Sequence, residues 1–403
     1  MAAEVQVAVI MGGIKDLFTD DNKPNILLII TDQERSLQHW PDNFASEHLP
    51  ALTRLMKNGM SFTQAFTGAC LCSPSRATFL TSRYPSETGV TTTGSPQPRV
   101  PLPKDIANLA TVLQSAGYTC AWKGKWHLGA HPKDYGFTGW DPPDAGTCLS
   151  INNTLGGGKP DNDGRFLKDC IDFLDNAPKP FCLVASFVNP HDVYMAQYDP
   201  TLGYTHEDFN KVKVPTPSNW DEDLETKPRA HEHMSMLHVP FDNTVQDYVN
   251  FYAYLHTVVD AQILKLLEKL DSSNLTDNTL TIRFSDHGEQ ALSHGLVEKF
   301  FNAYEESIRI PLIFSNPRVW SQPEASDSLV SALDLVPTLA ELLGVTSNFS
   351  KCFRGQNLCP ILENSRGSVQ DTVVSCSHCR LTIMIVDFAL NITYSILFIL
   401  FIL

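Results

Sequence analysis

With 403 residues, 43% of them hydrophobic and 19% charged, the chain is long enough to bury one substantial core with a smaller appendage, and no internal period points to a repeat array. Its formal charge of -15 argues against nucleic acid as a partner, and an anionic small molecule is acceptable only where lysines and arginines focus the field at one cleft. Ten cysteines at scattered positions fix neither a disulfide framework nor a redox compartment.

Residues 1-22 read as an N-terminal extension: they hold a short apolar stretch, but Glu4 and the lack of a preceding basic residue make a poor signal peptide. Asn25 to Ile30 is a buried-strand run that stops at Thr31-Asp32-Gln33. In Cys72-Ser73-Pro74-Ser75-Arg76 the fixed φ of proline marks a helix start, with Cys72 close to the N-cap. Arg76 lies four residues on, so a cation and free backbone N–H groups converge beside Cys72. Such a pocket suits a tetrahedral oxyanion; a lone cysteine otherwise reads as a structural thiol or half of a disulfide. Lys104 to Gly117 has the apolar spacing of an amphipathic helix, with glycine in its C-cap region.

Tyr118 to Trp122 is a strand, followed by Gly124-Lys125-Trp126-His127-Leu128-Gly129; on extended backbone Lys125 and His127 share a face. Phe181 to Val188 is a strand that stops at Asn189-Pro190-His191-Asp192. Tyr204 to Pro240, rich in proline, histidine and charge without period, is a surface excursion of the kind that rims an active site. Asp242 to Leu270 is a long covering helix, Leu280 to Phe284 a strand stopping at Ser285-Asp286-His287-Gly288, and Ser331 to Leu343 a helix before Gly344.

Strands alternating with helices give an α/β fold with a large, mostly parallel central sheet flanked by helices. Three of the strands end in polar side chains, and open α/β sheets bind ligands at the carboxyl ends of their strands. Asp32, the Gln33 amide oxygen and Asp286 suit a hard divalent cation and His287 adds a nitrogen, although from spacing alone Asp-Gln after a strand is more often a turn or helix cap and Asp-His-Gly more often a loop. Taken singly, Lys125, His127, His191 and Lys299 read as solvated or backbone-bonded, and Glu305, Glu306 and Arg309 as an ion-pair set on a helix face.

The run CSPSRATFLTSR, from Cys72 to Arg83, resembles the signature CxPSRxxxLTGR of the type I sulfatases, in the alkaline phosphatase-like superfamily; Ser82 stands where that family has glycine. Gly124 to Gly129 resembles its GKWHLG, Pro190-His191 its Pro-His, His294 to Leu312 its HGxxxKxxxYEESxRxPL, and Asp334 to Leu339 its DLxPTL. Asp-Gln at 32–33 and Asp-His at 286–287 are similar to the choline-sulfatase and phosphonate monoester hydrolase branch. The resemblance implies that Cys72 is oxidised to formylglycine by a formylglycine-generating enzyme, and that one hydroxyl of the aldehyde hydrate attacks the sulfur of a small-molecule or carbohydrate sulfate ester. It implies a divalent metal, calcium first and manganese or magnesium as alternatives, held by Asp32, Gln33, Cys72, Asp286 and His287. Arg76 then steadies the hydrate, Lys125 and Lys299 take the sulfate charge, and His127 and His191 transfer protons. Competing readings are a phosphonate or phosphate ester hydrolase with the same site, a non-catalytic relic, and a cysteine hydrolase with His127 or His191 as base.

The likeness covers a catalytic domain over residues 23-365, beyond which 366-403 forms an atypical segment. The family's small C-terminal antiparallel sheet is not visible there, so a truncated subdomain is expected. Cys376-Ser377-His378-Cys379 reads as a disulfide or free thiols before a zinc site. Met384 to Leu403 is apolar enough for a membrane tail, interrupted by Asp387 and Asn391. Sequons at Asn152, Asn274, Asn348 and Asn391 suit a secretory route, lysosomal or extracellular, without deciding it.

Overall fold

The computed structural model describes residues 13–19, 23–93, 100–146, 148, 161–196, 204–205, 207–208, 211–237, 245–300, 302–349, 351–377 and 383–387. Its strands in chain order are β1 (Asn25–Asp32), β2 (Gly59–Phe62), β3 (Ala65–Phe66), β4 (Ala69–Cys70), β5 (Thr119–Gly124), β6 (Phe181–Pro190), β7 (Thr279–Ser285), β8 (Leu312–Ser315), β9 (Glu324–Ser326), β10 (Val330–Ser331), β11 (Thr372–Ser377) and β12 (Ile383–Asp387). Seven of them make one sheet in the order β5-β6-β1-β7-β8-β2-β9, parallel from β5 through β7, with β8 antiparallel to both of its neighbours.

β1 is buried along its whole length because the sheet is covered on both faces, which is why its sequence is an apolar run rather than an alternation. Ile26, Leu28 and Ile30 face a layer containing Leu109, Leu113, Val336 and Leu339. Leu27 and Ile29 face the opposite layer, where Leu167 and the Val259, Ile263 and Leu266 side chains of the Val245–Ser272 helix pack. The expected α/β sandwich is therefore present, and β6, β1 and β7 lie side by side with their carboxyl ends together.

Several local expectations are corrected. The helix expected from Lys104 begins only at Leu109 and runs to Ser115, because the Asn108 side chain accepts from the amides of Ala110 (2.8 Å) and Thr111 (3.3 Å) and caps it there. The helix expected from Ser331 opens as a 3-10 turn, Ala332–Asp334, capped by Ser331, and becomes α-helical over Leu335–Leu342. The 204–240 excursion contains a helix, Arg229–Leu237.

A second, three-stranded sheet that the sequence does not reveal is present. β11 pairs antiparallel with β12 and parallel with β4, immediately before Cys72. The start of the apolar C-terminal run is thus a strand; residues 388–403, with the rest of that run and Asn391, lie outside the described residues, as do residues 1–12 and 20–22 of the N-terminal extension, Asn152, His378 and Cys379. Among the described residues no helix is long and apolar enough to cross a membrane, and the cysteines, Cys376 included, are free thiols.

Candidate active site

Three neighbouring strand ends and one helix start build the site. β1 delivers Asp32 and then turns through Gln33 at φ +71, β7 delivers Asp286 and His287, and β6 delivers His191. The Cys72–Thr81 helix is fastened to the end of β7: Ser75 Oγ and Thr67 Oγ1 both donate to the Asp286 carbonyl, at 2.5 and 2.6 Å. Leu71, its N-cap, holds φ +93, a left-handed backbone that leucine rarely adopts. Strain of this kind persists where surrounding structure over-determines it, here by presenting Cys72 to the strand ends.

Arg76 joins the two aspartates. Its Nε donates to Asp286 Oδ2 (3.0 Å), Nη2 to Asp32 Oδ2 (3.1 Å), and Nη1 to the Lys125 carbonyl (2.8 Å) and Ser186 Oγ (2.9 Å). Lys125 Nζ adds a contact of 2.6 Å to Asp32 Oδ2. The Oδ2 atoms are thus taken by cations, while the Oδ1 atoms of Asp32 and Asp286 each lie 3.7 Å from His287 Nε2. Cys72 Sγ completes this set, 3.5 Å from Asp32 Oδ1 and 3.3 Å from His287 Nε2.

These four donor atoms lie within 4.8 Å of one another, all buried, and their chemistry fits a divalent cation. The His287 ring supports that fit: its Nδ1 is 2.9 Å from the Gly288 carbonyl, so Nδ1 carries the proton and the Nε2 lone pair faces the other donors. Gln33 is directed elsewhere. Its Oε1 accepts from Lys299 Nζ, and its Nε2 donates to Glu289 Oε2 (2.5 Å) and faces Glu298 Oε2 (3.4 Å), because a buried ammonium needs acceptors.

Burial acts on every charge here. It pushes the Asp32 carboxyl up, but Lys125 and Arg76 outweigh it and hold the group well below the usual carboxylate range. Asp286 moves the other way, raised by burial and by Asp32. The Cys72 thiol is pushed up to about 12 by burial and then Asp32, so the unmodified side chain is a protonated, poor nucleophile.

Lys125 also lies against this centre. Lys125 Nζ stands 3.9 Å from Cys72 Sγ. Its neighbour His127 is not on extended backbone, contrary to expectation: the strand ends at Gly124, at φ +105, and His127 holds φ +60. A Cβ at Gly124 would lie 2.0 Å from the Ser186 carbonyl, so only glycine passes there. His127 and His191 are buried; burial and then Lys125 press both imidazoles well below their ordinary value, which makes them neutral, and the Nδ1 of each lacks a hydrogen-bond partner among the described residues. Lys299 is 3% exposed and bonds Glu298 Oε2 at 3.0 Å; Glu298 and other acids hold its ammonium charged against the pull of burial.

Arg309, the extended C-cap of the short Glu305–Ile308 helix, pairs with Glu305 at 2.6 Å, while Glu306 lies 3.8 Å from His294 Nε2 instead of joining that pair. Sequence reasoning missed Glu289 and Glu298, the acids that satisfy Gln33 and Lys299; their closeness to Asp286-His287 and to Lys299 along the chain was the available signal. It also missed Asp144, which accepts from the amides of Trp126 and His127 and lies in no motif.

The family profile described as Sulfatase matches residues 24–345. The chain is 26% identical over 369 residues to the delta 4,5-hexuronate-2-O-sulfatase of Bacteroides thetaiotaomicron, covering 85% of this chain and 73% of that protein. It is 28% identical over 364 residues to the choline-sulfatase of Rhizobium meliloti, covering 80% and 68%. Among solved structures, a 2-O GAG sulfatase superposes with a TM-score of 0.71 at 26% identity, covering 88% of this chain and 77% of the other.

Proposed function

This chain belongs to the sulfatase family of sulfuric ester hydrolases, and on that premise we propose that it cleaves the sulfate ester of a carbohydrate or other small alcohol with Cys72, oxidised to formylglycine, as nucleophile beside a divalent cation. One observation carries the reading: the side chain of Cys72 is buried at a helix start within 3.5 Å of Asp32 and His287 and 3.9 Å of Lys125, among groups that suit a divalent cation and an anionic ester. An aldehyde hydrate at the same place meets the donors that a gem-diol needs. The catalytic domain in this reading is residues 23–365.

Asp32, Asp286, His287 and residue 72 would hold the cation, calcium before manganese or magnesium because most donors are oxygens; when bound, it polarises a sulfate oxygen and eases ionisation of the hydrate. The chain's own groups do the rest. Arg76 locks both aspartates with their Oδ1 atoms inward. Lys125 and Lys299, both buried and charged, receive the sulfate oxygens in a site where water does not screen them. His127, neutral before substrate enters, accepts the proton of the second hydroxyl as sulfate departs. His191 gains basicity when the sulfate anion lies beside it, takes up a proton from solvent as the substrate binds, and hands that proton to the leaving alcohol oxygen, returning to the neutral ring.

The test is co-expression with a formylglycine-generating enzyme, followed by peptide mass analysis and assay on 4-nitrophenyl sulfate. Residue 72 is expected to react with an aminooxy probe and not with iodoacetamide, and Cys72→Ala is expected to remove turnover while leaving the fold. An active enzyme whose Cys72 is still an alkylatable thiol, or a Cys72→Ala variant that keeps its rate, would refute the reading.

A further inference from the structure

Asp144 lies outside every motif and touches none of the expected ligands, yet both of its oxygens are committed to one stretch of main chain. Oδ1 accepts from the Trp126 amide at 2.9 Å and Oδ2 from the His127 amide at 2.7 Å, with the Ala145 amide adding 3.0 Å to Oδ1. Two successive amides aimed at one anion form a nest, a backbone concavity that requires a negative occupant. The nest closes on His127, at φ +60, where a residue with a side chain is held against its preference. That turn brings a buried imidazole beside Lys125, and the His127 carbonyl receives Ser73 Oγ at 2.7 Å, so the same residue also ties the turn to the helix that bears Cys72.

A related arrangement stands ahead of the second histidine. Asp163 spans the successive amides of Val188 (2.6 Å) and Asn189 (3.0 Å) at the end of β6, with Pro190 between them and His191. In each place an aspartate fixes main chain at or just before a histidine through both of its oxygens, but only Asp144 bonds the amide of the histidine itself.

We propose that Asp144 is the positioning residue of His127: its carboxylate fills the Trp126–His127 nest and holds the left-handed turn that directs the imidazole into the sulfate pocket. The kinetic half of this proposal rests on the sulfatase reading; the structural half does not. Asp144→Asn keeps the shape but turns one acceptor into an NH2 group, so whichever way the amide lies, one of the two nest amides faces a donor.

Two measurements test it. In amide hydrogen exchange, Asp144→Asn is expected to speed exchange at Trp126 and His127 by about tenfold or more while the β5 amides of Cys120 and Trp122 stay as in the wild type. On 4-nitrophenyl sulfate it is expected to lower kcat about tenfold or more with KM within about threefold, to cost less than about twofold further in a His127→Ala background, and to retain its full cost in a His191→Ala background. Unchanged exchange at both amides, or an equal loss of rate in the His127→Ala background, would overturn the proposal. If Asp144→Asn does not fold, Asp144→Glu, which keeps the anion but moves it one methylene outward, takes the same comparisons. A wild-type enzyme that fails to turn over 4-nitrophenyl sulfate with residue 72 converted counts against the sulfatase reading alone, and the exchange result then decides the role of Asp144.

Discussion

Replacing Arg76 by methionine removes the cation that joins Asp32 to Asp286 while roughly preserving volume. The guanidinium makes four hydrogen bonds, to both carboxylates, the Lys125 carbonyl and Ser186, with its side chain wholly buried. Asp32 keeps Lys125 at 2.6 Å, whereas Asp286, already raised by burial and by Asp32, loses its arginine. Breaking a buried pair by removing one partner costs about 3–5 kcal/mol. Proton uptake limits that cost, since a carboxyl deprived of its cation titrates instead of staying charged.

The sign follows. In the variant the folded-state pKa of Asp286 rises further above its unfolded value, so between those two values the folded state binds more protons and gains stability as pH falls. The destabilisation of Arg76→Met is therefore largest at about pH 8 and smaller at about pH 5. A divalent cation acts in the same direction, because four donors facing less positive charge bind it more tightly, and its removal by a chelator lowers the variant's stability more than the wild type's. Urea unfolding followed by tryptophan fluorescence, with Trp40, Trp122 and Trp126 buried as reporters, measures all three effects. A cost below about 1 kcal/mol, or one that is the same at both pH values and indifferent to chelator, would refute the electrostatic account.

Two further outcomes concern the scaffold. His256 is 1% exposed among Trp40, Phe44 and Tyr252, and burial pushes it down to about 4, with Glu34 opposing and Arg35 and Arg283 reinforcing. Its stability contribution is whole above the unfolded value near 6.5 and is lost as pH falls toward about 4, an upper limit of about 3 kcal/mol; His256→Phe is expected to flatten that part of the stability profile, and an unaltered acid slope would refute the assignment. Ser82 holds φ +53 at the end of the Cys72–Thr81 helix, and its Oγ accepts from the Gly355 amide at 2.9 Å. Ser82→Ala keeps the strain and orphans the amide, costing about 1–3 kcal/mol, whereas Ser82→Gly recovers about 1–2 kcal/mol of strain and comes out nearly neutral; equal losses in denaturant unfolding would show that strain is not stored there.

The groups of the candidate site were legible because their spacing obeys a short rule. Arg76 follows Cys72 by one helical turn, and the apolar runs ending in Asp32, His191 and Asp286 are covered on both faces, so they become adjacent parallel strands. The rule failed at His127, where the period of an extended strand does not apply: the chain has left the strand at Gly124 and runs through a left-handed turn. It failed again at Lys104, where apolar spacing could not reveal that Asn108 caps the helix later, and at β12, where an apolar stretch in a C-terminal run looks the same whether it crosses a bilayer or pairs with β11.

What stayed illegible has a common physical form. Asp144, Asp163 and Asp260 all accept from pairs of successive main-chain amides: Trp126 and His127, Val188 and Asn189, Ala51 and Leu52. An amide pair is present wherever there is backbone, so the partner imposes no residue type and no spacing, and the acid is free to arrive from 17 positions away, as in Asp144, or from 209, as in Asp260. A motif records side chains that must recur in order; a nest and its anion record only geometry. The catalytic motifs can therefore be complete while the acids that aim them stay unmarked. In such a fold, buried carboxylates bonded mainly to main chain are where the unmarked positioning residues should be sought.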